Sequence, residues 1–191
     1  MSLPSFGFNL ATGALEMRTV HVLALIALAP FVAGAAFDHP TPLDDSQVLA
    51  TFDQVNGFDI ETARLGAVHG HTEAVRGLAA DVLRDHSMVL QMARDLAARA
   101  GIAYRVATDD DTARSHAGAL HELARLSGPA FDAAYLQHEI RFHDGAIAAV
   151  KQVLLPAATQ PELRRLLTTV LPGLEHHLAM TRDLARELGV P

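Results

Sequence analysis

The sequence predicts an all-α domain, a bundle of four long helices with a short crossover helix between the second and the third. Three observations predict it. Apolar residues recur at three- to four-residue spacing over stretches of about 25 residues. No alternating apolar–polar run is long enough for a strand. Gly and Pro fall mainly where one periodic stretch gives way to the next. With 191 residues, half of them apolar, the chain can bury one core.

The chain opens on an expected export signal. Met17-Arg18 precedes an apolar stretch, Thr19 to Ala36, that ends in small residues, and Ala33-Gly34-Ala35 fits the small-x-small pattern with cleavage before Ala36. Residues 1–35 are therefore read as a signal peptide. Residues 1–16 have no part in such a signal and are read as an upstream start, with Met17 the true one. The rival reading is an uncleaved membrane anchor, since an apolar run of about 17 residues lies at the lower edge of a span. In both readings the remainder is exported, to the periplasm or beyond, and any membrane contact is through the N-terminal segment. Residues 36–45, with Asp38-His39-Pro40-Thr41-Pro42, form an extended lead-in because Pro disfavours helix in itself and its predecessor.

The bundle domain then covers 46–190. The first main helix is expected over Ser46–Gly70, with Asp45 or Ser46 as its N-cap. The second runs over Glu73–Ala100, capped by Thr72 and stopped by Gly101. A connection through Asp109-Asp110-Asp111 leads into the short crossover helix, Thr112–Leu126. Ser127-Gly128-Pro129 breaks the chain, the third main helix covers Ala130–Leu155, and Pro156 ends it. Thr159-Gln160-Pro161 opens the fourth, which reaches Leu188 with Gly189 past its end and a kink expected at Pro172. One long connection between the second and third main helices is the layout of ferritin-like folds.

Composition removes several classes of function. With no Cys there is no disulfide framework, thiolate zinc site, cysteine nucleophile or lipoprotein anchor. A net charge of −7 without a Lys/Arg cluster argues against nucleic acid. No elbow motif surrounds Ser46, Ser87, Ser115 or Ser127, so a serine hydrolase is a poor reading. The 11 His residues are the compositional excess that could carry chemistry.

Placed on helix faces, some of these imidazoles lie among apolar residues. His86 interrupts the stripe Val75, Leu78, Val82, Ala93, Leu96. Glu139 and His143 are i,i+4 neighbours between Leu136 and Ile147. His177 follows Leu174, and on the first helix Phe58, Glu61, Leu65 and Val68 share a face. A buried carboxylate is retained only when paired, bonded or metal-bound. Glu61, His86, Glu139, His143 and His177 are therefore the candidate ligands of one divalent ion, with Asp85, Tyr135 and His176 as neighbours that orient them. Nitrogen and oxygen donors suit zinc, iron or manganese. Copper ranks behind these and rests on Met88, Met92 and Met180 near the seams. His69, His71, His116, His121 and His138 are expected in solvent.

The first helix with Glu61, then Asp85-His86, Phe131-Asp132-Ala133-Ala134-Tyr135, His143 and Leu171-Pro172 followed by His177-Leu178 resemble, in this order, a bacterial family known as domain of unknown function 4142. The resemblance covers about Ala50 to Leu188 and implies an exported, ferritin-like four-helix bundle and descent from metal-binding bundles, but no assigned activity. The chain departs from the di-iron pattern, which places Glu-x-x-His on two helices, because Glu-x-x-His occurs nowhere in it. Two functions stay open. One is an exported bundle holding one metal ion. The other is a non-catalytic envelope or stress-related interaction bundle whose polar core holds none, with an unidentified protein partner or a second copy as its binding partner.

Overall fold

The computed structural model describes residues 43–104 and 111–191. The expected signal segment and nearly all of the lead-in lie outside the described residues. All regular structure among the described residues is helical: α1 (Asp45–His69), α2 (Glu73–Ala100), α3 (Asp111–Ala124), α4 (Gly128–Ala149), a π turn (Val150–Leu154) continued by α5 (Leu155–Ala157), and α6 (Pro161–Glu187). No helix among these residues is long and apolar enough to cross a membrane.

The caps follow from local chemistry. Asp44 caps α1 one residue earlier than expected, because Gln47 three positions on completes a reciprocal capping box: Gln47 N–H donates to Asp44 Oδ1 at 2.9 Å and Asp44 N–H to Gln47 Oε1 at 3.0 Å. Thr72 caps α2 and Gly101, at φ 66°, ends it in the left-handed conformation that a glycine adopts without strain. The third main helix runs past the expected stop, because Pro156 sits at the opening of α5 rather than at a helix end. Pro156 has no N–H for the carbonyl four residues back. Just ahead of it the helix widens, Leu155 N–H reaching back to Val150 O. Pro172 lies inside α6, which continues past it to Glu187.

The three-residue link between α1 and α2 makes them neighbours, as the short link from α5 does for α4 and α6. α1 packs chiefly on α2 and α4 on α6; α2 also lies against α6 and α1 against α4, while α3 rests on α1 and α4. Two side-chain clamps fix the ends. Asp132 of α4 accepts the N–H groups of His71 and Thr72 at 2.7 and 2.9 Å, holding the α1–α2 link. Asp45 accepts from Thr159 N–H and Oγ1 at 2.8 and 2.6 Å, tying the start of α1 to the start of α6.

Two apolar clusters fill the core. One is built on Leu49, Phe52, Leu96, Leu154, Leu163 and Leu167. The other is built on Val75, Leu78, Val82, Phe131, Tyr135 and Leu136. Polar residues from each of the four long helices are buried as well, Asn56, Asp59, His86, Glu139, His143, His177 and Thr181 among them.

Candidate metal centre

Asp59 of α1, His86 of α2, Glu139 and His143 of α4 and His177 of α6 are each at most 5% exposed. The donor atoms of His86, His143 and His177 lie within 4.8 Å of one another, as do those of Asp59, Glu139 and His143. His143 belongs to both trios, so the two sets of donors, five residues from four helices, adjoin at its ring. Asp59 Oδ2 is 3.0 Å from His86 Nε2 and 3.4 Å from His143 Nε2. His86 Nε2 is 3.3 Å from His177 Nδ1.

The outer nitrogen of each ring decides what the inner one presents. Asn56 Nδ2 donates to the His86 carbonyl at 2.8 Å, which leaves its Oδ1 to accept from His86 Nδ1–H at 2.9 Å. His143 Nδ1–H donates to the Glu139 carbonyl one turn back, at 3.1 Å. His177 Nε2–H donates to Asp85 Oδ2 at 3.1 Å. With an N–H of each ring committed outward, His86 Nε2, His143 Nε2 and His177 Nδ1 all face inward, toward the Asp59 carboxylate, which offers only lone pairs. Both oxygens of Asp59, both of Glu139 and His143 Nε2 have no hydrogen-bond partner. Acceptors crowded this way repel one another unless a positive charge lies among them.

The electrostatics agree. Burial pushes the Asp59 carboxyl up, but His86 and His143 in their protonated forms, a hydrogen bond from Glu139 and protonated His177 outweigh this and hold it below the usual carboxylate range. Burial and the adjacent Asp59 charge push Glu139 well above its ordinary value, so without a cation it is a neutral acid. Burial lowers His86 and His177 despite the pull of nearby acids, keeping both neutral near pH 7. Burial, then Glu139 and Asp59, raises Tyr135, whose hydroxyl is buried without a partner.

Of the ligands expected from sequence, His86, Glu139, His143 and His177 come together, and Glu61 does not join them. Its carboxylate is 55% exposed and 3.1 Å from His116 Nε2. The face of α1 assigned from Phe58, Glu61, Leu65 and Val68 is out of phase: Val68 is 77% exposed. The buried face carries Val48, Phe52, Asn56, Asp59, Ala63 and Gly66. That spacing of three to four was present in the sequence and would have brought Asn56 and Asp59 into view. Asp85 lies beyond His177 and is held on its other oxygen by Arg84 Nε at 2.9 Å. His176 is exposed and turned away from the centre, as adjacent helical residues must be when one faces inward. His69, His71 and His121 are exposed, as expected. His116 and His138, expected in solvent, are buried instead, because α3 covers that flank: His116 stacks on Phe58 at 4.3 Å between ring centroids. Met88 and Met92 are exposed, with no part in the centre.

The Phe-Asp-x-x-Tyr element has a packing role. Asp132 clamps the α1–α2 link. Tyr135 stacks on Phe131 and lies so close beneath Gly66 that a Cβ there would sit 2.5 Å from Tyr135 Cε2. No curated protein and no solved structure matches the chain. A family described as "Domain of unknown function (DUF4142)" matches residues 31–184, most of the chain, with α1, α2 and α4 whole and α6 as far as residue 184. The chain therefore belongs to the DUF4142 family.

Proposed function

We propose that the protein is an exported, ferritin-like helical bundle that holds one divalent cation at the centre formed by Asp59, His86, Glu139, His143 and His177. The observation that carries this reading is the set of inward lone pairs. Three imidazoles have their outer N–H groups committed, and apart from the proton that Glu139 shares with Asp59 the two buried carboxyl groups have no donor. A divalent ion beside His143, the ring common to both trios, relieves the crowding of these acceptors. Three nitrogens with up to two carboxylates suit zinc, ferrous iron or manganese.

The centre holds its ion rather than turning over a substrate. Every ligand is at most 5% exposed, and closed sites are the mark of structural rather than catalytic ions. Holding four helices through one ion couples its binding to folding.

The test is a titration of tag-free, metal-stripped protein with Zn2+ and Co2+, followed by calorimetry and by visible absorption of the cobalt form. One ion per chain and a rise in Tm that a chelator reverses are expected. Protein that is folded, binds neither ion at micromolar concentration and melts identically with and without chelator would overturn the reading. It would favour instead a metal-free polar network in an interaction bundle, in which the proton on Glu139 stabilises Asp59.

A further inference from the structure

We infer that His138 and Arg141 of α4 form a binding site for a small oxyanion on the flank of the molecule covered by α3, separate from the cation centre. His138 is 6% exposed, and neither of its ring nitrogens has a hydrogen-bond partner. Its ring stacks on Phe142 with centroids 5.8 Å apart, which fixes the ring plane but satisfies no polar atom. Arg141 is half-buried and its Nε is fully buried without a partner. Among the described residues no acid offsets the burial of its guanidinium, in a chain with 22 acidic residues for 15 Lys and Arg.

Positions 138 and 141 are i,i+3 neighbours on one helix, about 5–6 Å apart at Cβ. Leaving buried donors unsatisfied costs about 1–3 kcal/mol each, so two at adjacent positions call for a shared acceptor. The charge decides its sign. A guanidinium offers donors only and cannot ligate a cation. An oxyanion accepts from Arg141 Nε–H and from one N–H of neutral His138 together. The other charged or titratable groups felt at His138 are Asp59, His116 and His143. Asp59 opposes an anion, and the Arg141 guanidinium beside His138 favours one. The class of ligand is phosphate or sulfate, free or as the phosphoryl group of a small ester. The inference does not rest on the cation reading.

The experiment uses the full chain as purified, with any metal it carries, desalted into chloride buffer without a carboxylate chelator. Inorganic phosphate, sulfate and glycerol 3-phosphate are titrated separately by calorimetry. Saturable binding is expected below about 10 mM, weakened about tenfold or more in Arg141→Gln and His138→Leu and partly kept in Arg141→Lys. Phosphate binding without glycerol phosphate binding identifies a free anion; binding of both identifies the phosphoryl group. Arg141 is half-buried, so Arg141→Gln remains a test even where His138→Leu does not fold. Lack of saturable binding in the wild type, or equal affinity in folded Arg141→Gln, would overturn the inference. So would binding kept in Arg141→Gln but lost in His143→Gln, which would put the anion at the cation centre.

Discussion

Two groups of buried histidines differ in how they are held. At the centre, each imidazole has its outer nitrogen fixed by another group: His86 by Asn56, His143 by a carbonyl of its own helix, His177 by Asp85. On the α3 flank, His116 meets an exposed carboxylate and an aromatic face, and His138 has no hydrogen bond. Both groups are buried, so burial does not make the distinction. Committed outer protons do, because they aim lone pairs at one point before any ion arrives, and pre-aimed ligands lose less entropy on binding.

The comparison breaks most directly at Asp59. Asp59→Asn replaces the one carboxylate that both His86 and His143 face. It should weaken Zn2+ binding about 100-fold or more, and His143→Gln should do the same. Isothermal titration on the stripped proteins measures both. Wild-type affinity in folded Asp59→Asn would mean that the ion, if bound, sits elsewhere.

The outer acceptors come next. Removing such partners typically costs about 10- to 100-fold in metal affinity. Asn56→Ala should lie at the upper end, since Asn56 is buried and fixes His86 from both its ring and its carbonyl. Asp85→Ala should lie at the lower end, because that carboxylate is 34% exposed and water can replace it. If both variants bind as the wild type does, pre-aiming is not what separates the two groups.

How much of this the sequence showed follows from the kind of pattern each feature leaves. The second main helix was legible to the residue, because Thr72 and Gly101 are strong local signals at its two ends. His86, Glu139, His143 and His177 were legible as polar breaks in clear apolar stripes. The first helix was not. Its stripe includes Asn56, Thr62 and Gly66, and its outer face includes Val68, so contrast between the faces is low and the phase was misassigned. The π turn was hidden because its cause, Pro156, reads locally as a stop. His116 and His138 were misplaced because their burial depends on where α3 docks, which periodicity within one helix does not encode.

Proton release sharpens the comparison further. Burial and Asp59 raise Glu139, so in the metal-free protein it keeps its proton above the ordinary carboxyl range. Its contribution to stability is full below the unfolded value and is lost as pH rises through the folded one. A cation must displace that proton, so affinity should rise about tenfold per pH unit over the interval in which Glu139 is protonated. Calorimetry in two buffers of different ionisation enthalpy should show release of about one proton in the wild type and none in Glu139→Gln. Equal release in both would place the proton on another group.

The smallest effect belongs to the flank, and its smallness is the prediction. Glu61→Gln and His116→Ala touch a His–carboxylate pair 3.1 Å apart, the same chemistry as at the centre. Yet the Glu61 carboxylate is 55% exposed and water can satisfy it. Zn2+ affinity should therefore stay within about twofold of wild type in both. Stability should respond to His116→Ala alone, by about 1 kcal/mol, through the lost stack on Phe58. Few residues anchor α3, with only His116 and Leu123 buried on it. The loss should thus be read first as faster amide exchange in α3 than in α4, whose buried face carries Phe131, Tyr135, Leu136 and His143. A fall in Zn2+ affinity in Glu61→Gln comparable to that in Asp59→Asn would show that the flank and the centre are one site after all.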